Sequence, residues 1–225
     1  MEKAKFWFFF ENFLKKYVFN RKIFIPIIVG VFIVIIIIGI ISYNKERSAT
    51  NIQGKYINAF YKLKTVSDKV DDLNKERIGI AIRDLEKTVE MPGDAPEKYL
   101  AYINLGELYL KLKQKEIAVK YLEKAKDAPK DLIAKPLSFI MLGRIYLEDS
   151  KLDNAIDLFN YVIKNYDGYF KDTALYYKGI AYEIKNNIDM AISSYKMIDE
   201  NSVYSFEAKK NIEVIERLKR LEVSK

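Results

Sequence analysis

Three segments of the sequence decide the fold: residues 105–122 read LGELYLKLKQKEIAVKYL, residues 142–159 read LGRIYLEDSKLDNAIDLF, and residues 178–195 read KGIAYEIKNNIDMAISSY. In each segment a Gly is followed by Tyr three residues later, by Ala twelve residues later and by a large apolar or aromatic residue sixteen residues later. The three glycines lie 37 and 36 residues apart. A repeat of this period predicts a solenoid of paired helices.

The repeated glycine indicates close packing between the two helices of each pair. A Gly inside a helix costs about 1 kcal/mol relative to Ala, so three glycines at one phase need a packing reason. We predict that they let the second helix of each pair approach through the small residues Ala118, Ala155 and Ala191. The polar stretches 111–116, 148–154 and 185–189 are then the turns inside the pairs.

This register resembles the tetratricopeptide repeat, a 34-residue helical hairpin with a W-x2-L-G-x2-Y, A-x3-F and Pro pattern. Tyr102, Phe139 and Leu175 stand at the first large position of that pattern, whereas Lys178 replaces the usual Leu in the third copy. The resemblance implies an all-α solenoid with three repeats over residues 97–202. It says little about the ligand, because one fold serves many functions.

Weaker helical patterns flank the three repeats. Residues 44–96 are predicted to form a degenerate first repeat, in which Ala81 and Leu85 keep the phase of the second helix. Residues 203–225 carry an apolar stripe between Lys and Glu residues, which predicts a capping helix at the end of the stack.

An apolar segment precedes the repeats. Residues 24–43 read FIPIIVGVFIVIIIIGIISY, which is 20 residues without a charge. A helix of this length spans about 30 Å, the thickness of a bilayer core. The segment therefore predicts a single transmembrane helix. A cleaved signal peptide is the alternative, but residues 1–23 make a long leading tail and no small-residue cleavage motif follows the segment.

The tail of residues 1–23 carries six basic and two acidic residues. The positive-inside rule predicts that it stays in the cytoplasm and that the repeat domain lies on the opposite side of the membrane. Several apolar residues of the tail share one helical face, which predicts a helix at the membrane surface or, alternatively, a docking surface for a membrane protein. These residues are Phe6, Phe9, Phe10, Phe13, Leu14 and Tyr17.

The resemblance also implies a concave surface formed by the first helix of each repeat. Because the side chains at these positions are mostly apolar, we expect the surface to bind an amphipathic or unfolded segment of another protein. The C-terminal helix or a second protomer could cover the same surface, and the oligomeric state stays open. The expected site residues are Leu100, Ile103, Leu110, Leu137, Ile140, Arg144, Leu147, Tyr176, Ile180 and Ile184.

Composition narrows the function further. The chain has no Cys and no His, which excludes thiolate nucleophiles, Ser-His-Asp triads and zinc clusters of the usual kind. We therefore expect a protein that is not an enzyme and uses no cofactor. The formal charge of +7 divides into +4 for residues 1–23 and +3 for the rest. This nearly balanced remainder argues against a nucleic-acid partner.

The order of tail, apolar span and helical repeats resembles the YfgM-like family of bacterial inner-membrane proteins, which are ancillary subunits of the Sec translocon. The stretch SATNIQGKYINAFYKL at residues 48–63 looks like that family's opening helix. The resemblance implies a periplasmic repeat domain with a chaperone-like or scaffold role. Its expected partners are translocon subunits, membrane-anchored folding factors or unfolded clients. A cytosol-facing recruiter of a soluble complex and an envelope assembly or division scaffold are the alternatives.

Overall fold

The computed structural model describes residues 2–13, 21–64 and 72–223. These residues form ten α-helices and no β-strand, so the predicted all-α fold is confirmed. The helices are α1 (Glu2–Phe13), α2 (Arg21–Leu63), α3 (Asp72–Glu90), α4 (Pro96–Lys111), α5 (Lys115–Ala125), α6 (Ala134–Glu148), α7 (Leu152–Asn165), α8 (Tyr169–Ile184), α9 (Ile188–Lys196) and α10 (Ser205–Val223).

The chain divides into two compact units, Met1–Asn51 and Ile52–Lys225. In the first unit, Phe6, Phe9 and Phe10 of the predicted apolar face are exposed on α1. The positions predicted for the same face at Leu14 and Tyr17 lie outside the described residues.

Helix α2 is long and strongly apolar. It continues without a break past Tyr43, where the predicted apolar segment ends, because no Pro lies between Pro26 and the end of the helix at Leu63 and Gly54 is an isolated weak helix former. By length and composition it is apolar enough to cross a membrane, and none of its apolar stretch is buried. The side chains from Val31 to Ile38 are each about half exposed.

Helix pairs α4–α5, α6–α7 and α8–α9 are closed by the same turn. Each turn contains one non-glycine residue in the left-handed region, with φ of 59° at Lys113, 57° at Ser150 and 58° at Asn186. The residue after it donates its backbone N–H to the carbonyl of the repeat tyrosine, at 2.8 Å in all three pairs. The three predicted turns are therefore confirmed, and their common geometry follows from the common helix packing.

The repeated spacing between each Gly and the large residue sixteen positions later reflects direct contact between the two residues. A Cβ placed on Gly106 would lie 2.7 Å from the Leu122 side chain, and a Cβ on Gly143 would lie 2.5 Å from the ring of Phe159. The third glycine meets Tyr195 in the same way. The predicted close approach is confirmed, but the large residue fills the space over the glycine, not the alanine one turn earlier. The three alanines are fully buried beside it.

The core of the second unit is a chain of four clusters, each of which joins a helix pair to the next first helix. The end of α2 and helix α3 share a cluster with α4, so these two helices extend the stack, and their origin as a degenerate repeat stays a prediction. The next two clusters join α4 and α5 to α6, and α6 and α7 to α8. The last cluster joins α8 and α9 to α10. Helix α10 therefore occupies the place that a further repeat would take.

Helix α10 covers the end of the stack with one face. Ala208 and Ile215 are buried against the last repeat, and the Lys219 ammonium lies 2.7 Å from the Asp189 carboxylate of α9. Lys209, Lys210 and Glu213 are exposed, so the helix is amphipathic, as a terminal repeat needs to be. Phe206 and Leu218 are also exposed, so only part of the apolar stripe packs against the stack.

A carboxylate on α3 links this helix to the α4–α5 pair. Glu86 of α3 accepts hydrogen bonds from the hydroxyls of Tyr109, at 2.8 Å, and Tyr121, at 3.0 Å. The two rings stack with their centroids 5.6 Å apart. Burial, together with the Glu86 hydrogen bond, raises the pKa of Tyr109 to about 12, and the pKa of Tyr121 is raised for the same reasons.

Gly143→Ala should destabilise the protein, because the added methyl would overlap the buried Phe159 ring. We expect a net loss of about 1–2 kcal/mol, after the gain in helix propensity is subtracted from the overpacking cost. The matched control is Gly79→Ala on α3, where a Cβ meets nothing within 4 Å. That change should leave stability equal or raise it by up to about 1 kcal/mol. Urea unfolding of the full chain followed by circular dichroism measures both, and equal effects would contradict the packing argument.

The Tyr109→Phe variant should lose less stability at alkaline pH than the unchanged chain does. A tyrosine with a raised pKa stabilises the fold below its unfolded pKa, and this contribution disappears as pH rises from about 10 to about 12. The variant lacks that ionisation, so its unfolding midpoint should fall less than that of the unchanged chain over this interval. Tyr61→Phe, at a tyrosine 65% exposed on α2, is the control and should follow the unchanged chain. If the unfolding midpoints of all three proteins fall equally as pH rises, the hydrogen bond from Tyr109 to Glu86 does not make the stability depend on pH in this way.

Candidate protein-binding groove

A groove of about 660 Å³ crosses the first helices of the three regular repeats. It begins at the C-terminal half of α4, follows α6 along most of its length and ends at the N-terminal half of α8. We call this surface the groove. Its lining residues are Glu107, Leu110, Lys111, Lys113, Lys115, Leu137, Ile140, Met141, Arg144, Ile145, Glu148, Tyr169, Thr173, Tyr177 and Tyr204.

Four of the site residues expected from the sequence line the groove, namely Leu110, Leu137, Ile140 and Arg144. All four come from the C-terminal half of α4 or from α6. The structure therefore brings these four predicted residues together, and their role in binding a partner stays a prediction.

The other expected residues lie elsewhere. Ile103 is only 7% exposed, in the cluster that joins α4 and α5 to α6, and Leu100 packs against the same cluster. Leu147 packs against the cluster that includes Phe159. Tyr176 and Ile180 pack against the last cluster, and Ile184 is exposed at the end of α8 without lining the groove.

This difference has a geometric cause. Equal positions of successive repeats do not form a straight line, because each helix pair is rotated relative to the one before. The groove therefore runs diagonally and leaves out the N-terminal half of α4 and the C-terminal half of α8.

The floor of the groove is apolar and shared with the core. Ile140 and Ile145 are only 4% and 2% exposed, so they shape the floor while packing into the helix pairs. Leu137 and Met141 are half-buried and offer their remaining surface to the groove. A ligand would thus contact mainly these last two apolar side chains.

One end of the groove is a wall of tyrosines. Tyr169 and Tyr177 belong to α8, and Tyr204 comes from the segment just before α10. The Tyr204 ring stacks on Tyr176, with centroids 4.8 Å apart, and burial raises the pKa of Tyr204. Among the described residues after 202, Tyr204 lines the groove while α10 packs against α9. The C-terminal helix therefore does not fill the groove.

The other end of the groove carries charge that the sequence analysis did not anticipate. The Lys115 ammonium lies 2.6 Å from the Asp149 carboxylate, whose hydrogen bond raises the pKa of Lys115 and lowers that of Asp149. Lys113 also lines this end, because the α4–α5 turn folds toward it. The groove thus combines an apolar floor with a rim of mixed charge, in which Lys111, Lys113 and Lys115 lie near Glu107 and Glu148.

Arg144 differs from these lysines in its surroundings. Its guanidinium lies 5.1 Å from the centre of the Tyr177 ring, a cation–π distance. No carboxylate of the described residues forms an ion pair with it. The aromatic contact holds the guanidinium at the groove while leaving its hydrogen-bond donors available to a ligand.

Sequence reasoning missed the α8 side of the groove and Tyr204. Thr173 could have been found from Leu137, because both stand six residues before the glycine of their repeat. Tyr169 and Tyr177 follow on the same helical face at steps of four. No local signal points to Tyr204, which reaches the groove only because α10 folds back onto the last repeat.

Comparison with known families agrees with this architecture. Residues 99–131 and residues 140–202 each match a model of the tetratricopeptide repeat. The first match covers α4 and α5, and the second runs from α6 through α9. No curated protein matches the chain. The protein is therefore all-helical with a long apolar helix near its N-terminus and tetratricopeptide repeats in its C-terminal part. This class of repeat binds other proteins on its concave surface.

Proposed function

We propose that this protein is a membrane-anchored, non-catalytic scaffold that holds a segment of a partner protein in the groove. The observation that carries the proposal is the open groove itself, with Leu137 and Met141 on its floor and the Arg144 guanidinium beside them. Apolar surface of this kind is stabilised when a partner covers it.

The chemistry of the groove selects the kind of segment. Leu137 and Met141 favour apolar side chains, and the tyrosine wall favours flat or aliphatic groups that pack against rings. Arg144 favours a carboxylate, because a guanidinium binds that group through two parallel hydrogen bonds. The expected ligand is therefore an amphipathic segment with apolar residues and one acidic side chain.

The membrane part of the proposal rests on α2. Its apolar side chains are exposed along the whole stretch from Val31 to Ile41, and water is a poor solvent for such a surface. A bilayer core of about 30 Å accommodates about 20 residues of helix, which is the length of the uncharged stretch at residues 24–43. The basic residues ahead of the helix favour a cytoplasmic N-terminus with the repeats on the other side.

The cellular setting follows from the resemblance to the YfgM-like family. In that setting the repeats lie in the periplasm of a bacterial inner membrane, beside translocon subunits and membrane-anchored folding factors. A chaperone-like role then means that the groove holds unfolded or partly folded clients as they leave the translocon. The acidic amphipathic segments expected from the groove chemistry would belong to these partners.

The double variant Leu137→Ala/Arg144→Glu should lose partner binding. The chain has no Cys, so Met141→Cys provides a single attachment point for a photo-crosslinker in the groove. We expect the crosslinked product formed in cells to fall at least about tenfold in the double variant, because both an apolar contact and a charge contact are removed. The measurement is the product yield per mole of labelled protein.

The matched control is Ile133→Ala/Lys120→Glu, which makes the same kinds of change at two exposed positions outside the groove. The control should keep the product. If both double variants form it equally, the groove is not the binding surface.

Protease accessibility tests the orientation. With a tag at Lys225 and a permeabilised outer envelope, an outward-facing repeat domain should be digested in intact cells. Protection until the inner membrane is lysed would place the repeats in the cytosol. The assignment to the translocon side would then be wrong, and a cytosolic recruiter would replace it.

A further inference from the structure

Helix α1 carries a continuous ring of aromatic side chains. Residues 6–10 read FWFFF, and their side chains are between 40% and 69% exposed. We call these five residues the aromatic girdle. At 100° per residue, five consecutive positions surround the helix completely, so this turn has no polar face.

A helix that is apolar on all sides is unusual for a surface helix in water. Surface helices of soluble proteins show an apolar stripe and a polar face, whereas helices that are apolar all round are buried in protein or lipid. The rings of the girdle stack on one another, as Phe6 does on Phe10 with centroids 6.1 Å apart, but this contact covers only part of their surface. The girdle therefore requires an apolar partner.

The position of α1 in the chain makes a bilayer the most accessible partner. Arg21, where α2 begins, is eight residues after Phe13, so their Cα atoms lie at most about 29 Å apart. The girdle lies three to seven residues before Phe13, which adds about 5–10 Å of helix. If α2 crosses the membrane, as the proposed function requires, the girdle is held within about 40 Å of Arg21. A bilayer is then present at all times and at high local concentration.

The charges around the girdle match the same partner. Residues 1–23 contain Lys3, Lys5, Lys15, Lys16, Arg21 and Lys22 against Glu2 and Glu11, a net charge of +4. Anionic headgroups attract such a basic segment, and aromatic rings are favoured at the boundary between headgroups and acyl chains. The 12 residues of α1 make a helix of about 18 Å, which is too short to cross a bilayer.

We propose that α1 is a second membrane contact, which places the aromatic girdle at the headgroup–acyl boundary of the bilayer that α2 crosses. The ligand class is an anionic lipid surface. This inference rests on the proposed membrane anchoring by α2 but not on the role of the groove.

The single Trp of the chain, Trp7, lies in the girdle, so the intrinsic Trp fluorescence of the full-length protein reports on α1 alone. The protein is reconstituted into nanodiscs of phosphatidylcholine and phosphatidylglycerol, which leave both membrane faces accessible. Three quantities are measured: the emission maximum, quenching by aqueous iodide, and quenching by lipids brominated at shallow or deep acyl positions.

Two variants provide the reference positions. Trp7→Phe combined with Phe206→Trp moves the reporter to a side chain that is 75% exposed on α10. Trp7→Phe combined with Phe32→Trp moves it into the apolar stretch of α2. We expect iodide to quench Trp7 at least about threefold less than the reporter at position 206, with the strongest bromolipid quenching from the shallow position.

The outcomes distinguish the membrane contact proposed for α1 from the membrane anchoring proposed for α2. If iodide quenches Trp7 as strongly as the reporter at 206 while the reporter at 32 is quenched by deep bromolipids, α2 spans the bilayer and the proposal for α1 is wrong. If lipids brominated at deep acyl positions do not quench the reporter at position 32 either, α2 does not span the bilayer. The proposed membrane anchoring is then wrong, and so is this inference. A Trp7→Cys variant carrying a polarity-sensitive dye gives the protein alternative: a blue shift in native membranes but not in nanodiscs would show that α1 binds a membrane protein instead of lipid.

Discussion

The contact between a glycine on the first helix and a large side chain on the second helix is the constraint on which the repeat domain depends. At Gly143 the ring of Phe159 occupies the space that any Cβ would need, and the other two pairs have the same arrangement. The contact fixes the distance between the helices of a pair and their rotation. The turn then closes in the same way each time, with a left-handed residue seven positions after each glycine.

The pairs gain a continuous core only by stacking. Each cluster joins one pair to the first helix of the next, so an isolated pair would leave the apolar surface of this junction in water. Different helices cover the apolar surface at the two ends of the stack. At one end the last turns of α2 and helix α3 complete the cluster against α4, with Glu86 binding two tyrosines across the junction. At the other end α10 packs against the last cluster, and Tyr204, just before α10, lines the groove.

The same stacking creates the functional surface. The first helices lie side by side, and the gap between them exposes Leu137 and Met141 over a floor that the core already holds rigid. A rigid floor lowers the entropy that a bound segment costs the protein. Arg144 adds direction, because its guanidinium is held by the Tyr177 ring and favours one orientation of an acidic ligand. In the proposed function, the apolar N-terminal unit keeps this surface near the membrane where its partners are.

Local patterns in the sequence were sufficient to predict the helices, the three turns, the close approach at the glycines and the long apolar helix. These features depend on contacts between residues within about sixteen positions of each other, so the spacing of Gly, Tyr and Ala carries them directly. The lining of the groove depends instead on how successive pairs rotate, and small rotations add along the stack. For this reason Leu137 and Arg144, predicted from their repeat positions, line the groove, whereas Ile103 lies in the core. Tyr204 lines the groove although its local sequence does not predict it. The sequence determined the repeating unit, and only the tertiary structure decided which side chains the stacked units present to a partner.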